Sequence, residues 1–523
     1  MLGTLLREEH SPTLATDQYE LTMALGYWKN GMAERPAVFE MFFRKNPFGG
    51  GYVVMAGLET LIGLLQAFRF TPSDLDFLAS LKDRAGLQMF EDRFLRYLET
   101  LRFSCSVAAI PEGTPVFPVE PLVRVQGPIL QAQLLETLLL NTLNFQSLVA
   151  TKAARVCHEA KGDPVVDFGL RRAQGFDGGL SASRACYVGG CTGTSNVLAG
   201  KLLGIPVSGT HAHSWVMAFN SELEAFEGYA NALPNNCVFL VDTYGTLNGI
   251  KNALTVARRL KAEGHHFIGV RLDSGDLAYF SIQARRMLDE AGFADAAILA
   301  SNELDEYVIR SLKDQGARIS MWGVGTKLVT AYDDPALSGV YKLSAIQPAD
   351  GSGAIPQGKG GRQGDGNRQG NGIHPGNWLY KLKLSEQRTK ISLPGIHQVY
   401  RYFGPDGRFA ADAIVDAEEG DALPDHIVDP DDDTKVKPLG RYARREALLA
   451  PVIEKGKLVY ATPPLAAVRQ RTREQLARLD ESHQRLEFPH IYPVGLSPQL
   501  ARLRNDMIRH EREVLYAGNH AGS

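Results

Sequence analysis

Cysteine is scarce in this sequence. There are five in 523 residues: Cys105, Cys157, Cys186, Cys191 and Cys237. The number is odd, and no two stand at the two-residue spacing of a zinc knuckle. Neither a disulfide framework nor a structural zinc site is indicated, and reduced thiols in a cytosolic protein are expected. Long apolar runs are also missing. The most apolar stretch, Leu134 to Val149, is broken by Glu136, Asn141, Asn144 and Gln146, so it reads as a buried helix and not a membrane span. The first residues lack the cationic start and apolar run of a signal peptide, and a cytoplasmic location is expected. Basic residues show no excess: 56 Lys and Arg stand against 59 Asp and Glu, a net charge of -3. Nucleic acid is therefore not an expected partner. A local basic pocket for phosphate remains compatible with that balance. No internal repeat is visible.

What is present is ordinary globular composition, 44% hydrophobic and 22% charged, in a length that suits about three domains. Residues 15–30 have a helical pattern, 37–43 a strand pattern, and 73–101 helical periodicity. From about residue 160 short apolar runs alternate with helix-length segments. The runs are Pro164 to Phe168, Ile205 to Gly209, Cys237 to Val241, His266 to Leu272, Ala296 to Ala300 and Ile319 to Gly323. This alternation predicts βαβ units on a parallel sheet. Residues 351–376 differ sharply: ten of those 26 positions are glycine, and the stretch reads as a flexible insertion. Strand pattern resumes at Trp378 and at Gln398 to Tyr402, and helical pattern at 463–480 and 497–516.

Each apolar run ends in polar residues. The clusters are Asp167 with Arg171, Thr210 with His213, Asp242 with Thr243, Arg271 with Asp273 and Ser274, Ser301 with Asn302, and Gly325 with Thr326. Six such ends in series point to one pocket. In an α/β barrel they would share the face that carries the active site. An open doubly wound sheet gathers function at strand ends too and is the alternative.

The segment Gly269-Val-Arg-Leu-Asp-Ser-Gly-Asp276 puts Arg271 and Asp273 on one side of a strand, because side chains alternate with period two. An arginine there suits a carboxylate or phosphate; a purely structural Arg–Asp pair explains it equally well. Gly209-Thr-His-Ala-His213 offers a hydroxyl and two imidazoles, open to readings as metal ligands, acid–base groups or a phosphorylated histidine. Two histidines alone make a poor metal site. The glycines of Trp322-Gly-Val-Gly-Thr326 would let backbone N–H groups approach phosphate. Asp167-Phe-Gly-Leu-Arg-Arg172 sets an aromatic ring beside two guanidinium groups. Near the start, Thr16 is a candidate helix cap, and Tyr19 follows it as either a core or a functional residue.

Taken in order, several segments resemble the nicotinate phosphoribosyltransferase family. They are Thr16-Asp-Gln-Tyr-Glu-Leu-Thr-Met23, Phe39-Glu-Met-Phe-Phe-Arg-Lys-Asn-Pro-Phe-Gly-Gly50, Phe168-Gly-Leu-Arg-Arg-Ala-Gln174, Thr194-Ser-Asn-Val-Leu-Ala-Gly200, Gly209-Thr-His-Ala-His213, Val270-Arg-Leu-Asp-Ser-Gly-Asp276, Gly323-Val-Gly-Thr326, Gly339-Val-Tyr-Lys-Leu343 and Leu393-Pro-Gly395. The resemblance spans residues 14–345 and most of 378–500; the Gly-rich stretch departs from the family pattern. It implies an irregular (β/α) barrel of the type II phosphoribosyltransferase kind, with a mixed α/β domain from both chain ends. The expected parts are 1–135 in the mixed domain, 136–345 as the catalytic barrel, 346–377 as the insertion and 378–523 packing on the mixed domain. It further implies a head-to-tail homodimer with shared active sites, Tyr19 reaching the neighbour's pocket. The implied reaction takes nicotinate, phosphoribosyl pyrophosphate and ATP, with Mg²⁺, to nicotinate mononucleotide, pyrophosphate, ADP and phosphate, for NAD synthesis. His213 matches the family's phosphohistidine.

The residues make physical sense of that reaction. Nicotinate is flat and anionic, so Phe168 and Tyr19 would stack on it and Arg271 would read its charge, with Arg171 close by in sequence. Ser301, Asn302, Gly325 and Thr326 suit the 5′-phosphate of the donor, and Thr210 and Ser274 add hydroxyls. Asp273, then Asp242, are the candidate carboxylates for the positive charge that develops on ribose; the metal ligands are not assigned. Two alternatives stand beside this reading. A nicotinamide-specific relative carries an aspartate where this chain has Ser195, which favours the acid substrate. A non-catalytic ligand-binding protein on the same fold would have lost some of the polar strand ends, and none is lost. A barrel oxidoreductase lacks its dinucleotide glycine fingerprint here.

Overall fold

The computed structural model describes residues 11–349, 374–387, 390–419, 424–440, 442 and 444–520. All but one of the apolar runs between residues 160 and 325 become strands of a single parallel sheet. The strands are β1 (Val165–Asp167), β2 (Gly193–Thr194), β3 (Val238–Leu240), β4 (Gly269–Leu272), β5 (Ala297–Ala300) and β6 (Met321–Val324), in the order β2-β1-β6-β5-β4-β3. The run Ile205 to Gly209 is the exception: only Val207 pairs, through one parallel bridge to Thr194. Conversely β2 is a strand that the sequence does not announce, because two residues, Gly and Thr, carry no apolar pattern.

Strand order decides between the two architectures. From β3 the chain steps to β4, β5 and β6, β6 pairs with β1 through Trp322 and Val165, and β1 pairs with β2. Every step runs the same way, whereas a doubly wound sheet reverses at a switch point. The remaining step, from β2 to β3, joins the two ends of the row. Those ends are linked: Val207 bridges Thr194, and the Leu240 N–H donates to Nε2 of His211 at 3.3 Å. The result is an irregular α/β barrel with a narrow seam.

Side-chain caps open three of the helices that follow these strands. Asn196 accepts from the Ala199 N–H, Asp276 from Tyr279 and Asp305 from Val308, opening helices Val197–Leu203, Leu277–Glu290 and Glu306–Asp314. Strand side chains such as Phe239, Val270, Leu272, Ile298, Trp322 and Val324 are fully buried.

The chain divides into two compact units: 146–335 with 464–473, and 1–145 with 336–463 and 474–523. The barrel unit differs at its edges from the 136–345 read in the sequence. Helix Glu136–Glu159 begins after a turn at residues 134–135, but the division falls within it, after residue 145. Segment 464–473 joins the barrel unit because Arg469 donates to the Gly190 carbonyl at 3.2 and 3.0 Å and lies over the Tyr187 ring.

The second unit is built from both chain ends. Its seven-stranded antiparallel sheet places Pro36–Phe43 between Gly339–Ile346 and Val123–Pro128, and six further strands form another sheet around His397–Phe403 and Phe409–Asp416. Strand Pro36–Phe43 is buried nearly throughout, Glu40 included. A buried carboxylate needs a partner. His397 supplies it, donating its backbone N–H at 2.9 Å and facing Glu40 with Nδ1 at 2.5 Å. Burial works against charge on that imidazole, but the Glu40 carboxylate overrides it and raises the His397 pKa.

Two local expectations are corrected. The helix Gln18–Lys29 has Asp17, not Thr16, at its cap position, and no side chain caps it. Of the Gly-rich stretch, 351–373 lies outside the described residues, but 374–376 is ordered. His374 pairs with Trp378 and stacks on Tyr380 at 3.8 Å, so an aromatic contact offsets the entropy of ordering. No helix among the described residues is long and apolar enough to cross a membrane.

Candidate active site

Strand β4 delivers Arg271 to the C-terminal end of the barrel, and Asp273 follows it. Three of the five guanidinium N–H groups are committed: Nε to Ser301 Oγ at 2.9 Å, NH1 to Thr210 Oγ1 at 3.0 Å and NH2 to Asp273 Oδ1 at 3.0 Å. Ser301 Oγ also donates to Asp273 Oδ1. The guanidinium carbon lies 5.5 Å from the centre of the Phe168 ring. Arg271 is thus braced by Asp273 and Ser301 at the ends of β4 and β5 and by Thr210 after the Val207 bridge, and two N–H groups remain for a ligand.

His213 begins a short helix beside this group. Its Nδ1 faces Thr243 Oγ1 at 3.1 Å; its Nε2 lies 3.6 Å from Asp273 Oδ2 and 4.0 Å from Asp242 Oδ1. Asp242 is held hard. Its Oδ2 accepts the Asp273 N–H and the Ser274 hydroxyl, both at 2.7 Å. Its Oδ1 is buried without a hydrogen-bond partner. His211, two residues before His213, is a different kind of histidine. Burial pushes its pKa down to about 4, and it accepts the Leu240 N–H, so it is a neutral part of the seam.

After β5 the chain bends sharply. Asn302 (φ 85°) and Glu303 (φ 33°) both adopt left-handed backbone, a strain that functional turns retain. At the end of β6, a Cβ on Gly323 would come within 2.6 Å of the Phe168 ring, so only glycine lets that ring lie there. Gly325 passes the Phe168 carbonyl, where a Cβ would stand at 3.3 Å, and Thr326 opens a one-turn helix.

Thr210, His213, Asp242, Arg271, Asp273, Ser274 and Ser301 are therefore joined in one network, with Phe168 against it. Arg171 is not: it stands exposed on the turn Leu170–Arg172. Tyr19 belongs to the other unit and is 46% exposed; burial and nearby carboxylates, Glu136 first among them, push its hydroxyl up to about 12, so it is a neutral phenol. Thr243 also takes part through His213, and Asp167 lies behind Phe168 with its Oδ1 on the Gly169 N–H; both stand at strand ends the sequence marks, although nothing in the sequence separates them there as site residues. Among the described residues no three His, Cys, Asp or Glu side chains form a metal cage. Asp242 Oδ1 and Asp273 are hard oxygen ligands that fit Mg²⁺ held mainly by substrate phosphates and water.

The barrel mouth gathers guanidinium, imidazole, carboxylates and hydroxyls beside a phenyl ring, a set of groups suited to a flat anion and a phosphorylated co-substrate. Three family models match: the nicotinate phosphoribosyltransferase N-terminal domain over residues 14–144, the nicotinate phosphoribosyltransferase family over 164–351, and the C-terminal domain over 396–504. The chain is 42% identical over 494 residues to the nicotinate phosphoribosyltransferase of Bacillus subtilis (strain 168), covering 94% of each chain. The crystal structure of human nicotinic acid phosphoribosyltransferase aligns with a TM-score of 0.78 at 33% identity, covering 94% of this chain and 99% of that one. A nicotinate-nucleotide pyrophosphorylase from Pyrococcus furiosus shares the fold, with a TM-score of 0.64 at 21% identity over 90% and 96% of the two chains. The chain belongs to the nicotinate phosphoribosyltransferase family, and it is an enzyme.

Proposed function

We propose that this enzyme transfers the phosphoribosyl group of phosphoribosyl pyrophosphate to nicotinate, for NAD synthesis, and couples the transfer to ATP through His213. The ring nitrogen of nicotinate attacks the anomeric carbon, and pyrophosphate leaves. Phe168 offers a face to the pyridine ring, and the two uncommitted N–H groups of Arg271 bind the carboxylate. Asp273 and Asp242 face the positive charge that develops as the bond to pyrophosphate breaks. Mg²⁺, when bound, would neutralise the leaving pyrophosphate. Ser301, Asn302, Gly325 and Thr326 receive the 5′-phosphate. A homodimer with Tyr19 contributed to the neighbouring site, working in the cytoplasm, completes the reading.

The observation that carries the coupling is the setting of His213. It is partly exposed, with Thr243 on one ring edge and two aspartates on the other. A ring nitrogen so fixed can take the γ-phosphoryl group of ATP, releasing ADP, and water later hydrolyses the phosphohistidine to phosphate. His213→Ala should abolish ATP hydrolysis linked to product while leaving some uncoupled synthesis. Acid-labile phosphate persisting on the mutant would show that the phosphorylated residue lies elsewhere.

A further inference from the structure

The reaction leaves Asp167 without a role. Yet it is fully buried at the end of β1 and carries a dense set of hydrogen bonds beside the pocket. Its Oδ1 accepts the Gly169 N–H at 2.8 Å. Its Oδ2 accepts the Ser183 hydroxyl at 2.8 Å and the Thr194 hydroxyl at 2.7 Å. Its backbone carbonyl takes the Ser195 N–H at 2.8 Å. Thr194 and Ser183 in turn receive the Asn196 backbone and side-chain amides at 3.0 and 3.2 Å.

The electrostatics argue against a purely stabilising role. Burial raises the Asp167 pKa; the bonds from Thr194, Gly169 and Ser183 oppose it, and no cation is among the neighbours that shift it. A buried carboxylate held by neutral donors costs stability compared with an apolar residue of similar size. What it does provide is geometry. One oxygen fixes Gly169 and so the peptide carrying Phe168, whose ring lies over Arg271; the other fixes Thr194 to Asn196. The single carboxylate thus ties the aromatic wall of the pocket to the 194–196 turn.

We propose that Asp167 is a positioning residue for nicotinate, setting the Phe168 ring and the 194–196 turn at fixed separation. The inference rests on nicotinate stacking on Phe168 with its carboxylate on Arg271. Asp167→Asn replaces an accepting oxygen with a donor against a hydroxyl or the Gly169 N–H. Ser183→Ala and Thr194→Val each remove one donor and leave the carboxylate. Asp167→Asn should raise KM for nicotinate by at least about tenfold while the KM for phosphoribosyl pyrophosphate stays within about twofold. The two donor variants should give smaller rises in the same direction. The same nicotinate KM as wild type, or equal rises for both substrates, would overturn the proposal. If Asp167→Asn does not fold, the two donor variants decide by the same criterion. Phe168→Ala and Arg271→Ala separate the pocket from its support. If they leave the nicotinate KM unchanged, the pocket itself is misplaced; if they raise it and the Asp167 series does not, only the role of Asp167 falls.

Discussion

At the scale of single residues the central question is what Arg271 is for. Its bonds to Asp273, Ser301 and Thr210 are those of a braced side chain, and bracing alone could explain them. The Phe168 ring beside it and the two N–H groups left over favour a reader of a flat carboxylate. The two roles differ in a measurable way. A guanidinium–carboxylate pair in a partly desolvated pocket is worth about 2–5 kcal/mol on truncation, and lysine cannot copy its two parallel bonds. Arg271→Ala should therefore weaken nicotinate use sharply and neutral nicotinamide much less, narrowing the preference for the acid. Equal losses for both, in a protein with unchanged melting temperature, would leave Arg271 as a brace for Asp273. The sequence shows Arg271 and Asp273 on one side of a strand, because period-two geometry is local. It cannot show that Ser301 and Thr210 complete the bracing, since those contacts span 30 and 61 residues. Spacing and residue type do not separate His211 from His213, which the family resemblance alone tells apart in the sequence; the structure does so by what packs against each.

Among the elements the informative one is the seam between Val207 and β3. The sequence predicts a full strand at Ile205 to Gly209; the structure forms one bridge there, and His211 carries the link to Leu240. This accounts for the depressed pKa of His211: burial favours the neutral ring, as does its task of accepting an N–H. A histidine with its folded pKa lowered from 6.5 to about 4 stabilises the fold above pH 6.5. That stabilisation is lost as pH falls toward 4, because the unfolded chain takes up the proton first. The whole effect is on the order of 3 kcal/mol. His211→Gln keeps an acceptor and removes the titration. Its melting temperature should fall less than that of the wild-type protein between about pH 7 and about pH 4.5. Parallel slopes for the two proteins would mean that His211 does not hold the seam. The remaining barrel strands other than β2 are legible because each is an apolar run that ends in polar residues. The pairing of Glu40 with Lys342 is not, since no local pattern reports a partner so far along the chain.

For the whole molecule, Tyr19 sets the test of assembly. It sits at the start of a helix in the unit built from both chain ends, neutral and 46% exposed. If it serves a neighbouring copy's site, a mixed dimer of a Tyr19→Ala subunit and an Arg271→Ala subunit keeps one intact site and retains activity. Complete inactivity of such hybrids, with both parents folded, would place each site within a single chain. One reaction underlies every role assigned above, and product analysis by mass reads it directly. The protein is incubated with nicotinate, phosphoribosyl pyrophosphate and Mg²⁺, with and without ATP. The expected result is nicotinate mononucleotide in both cases, with more product and a matching yield of ADP when ATP is present. Absence of the mononucleotide under both conditions, from folded protein, would contradict it.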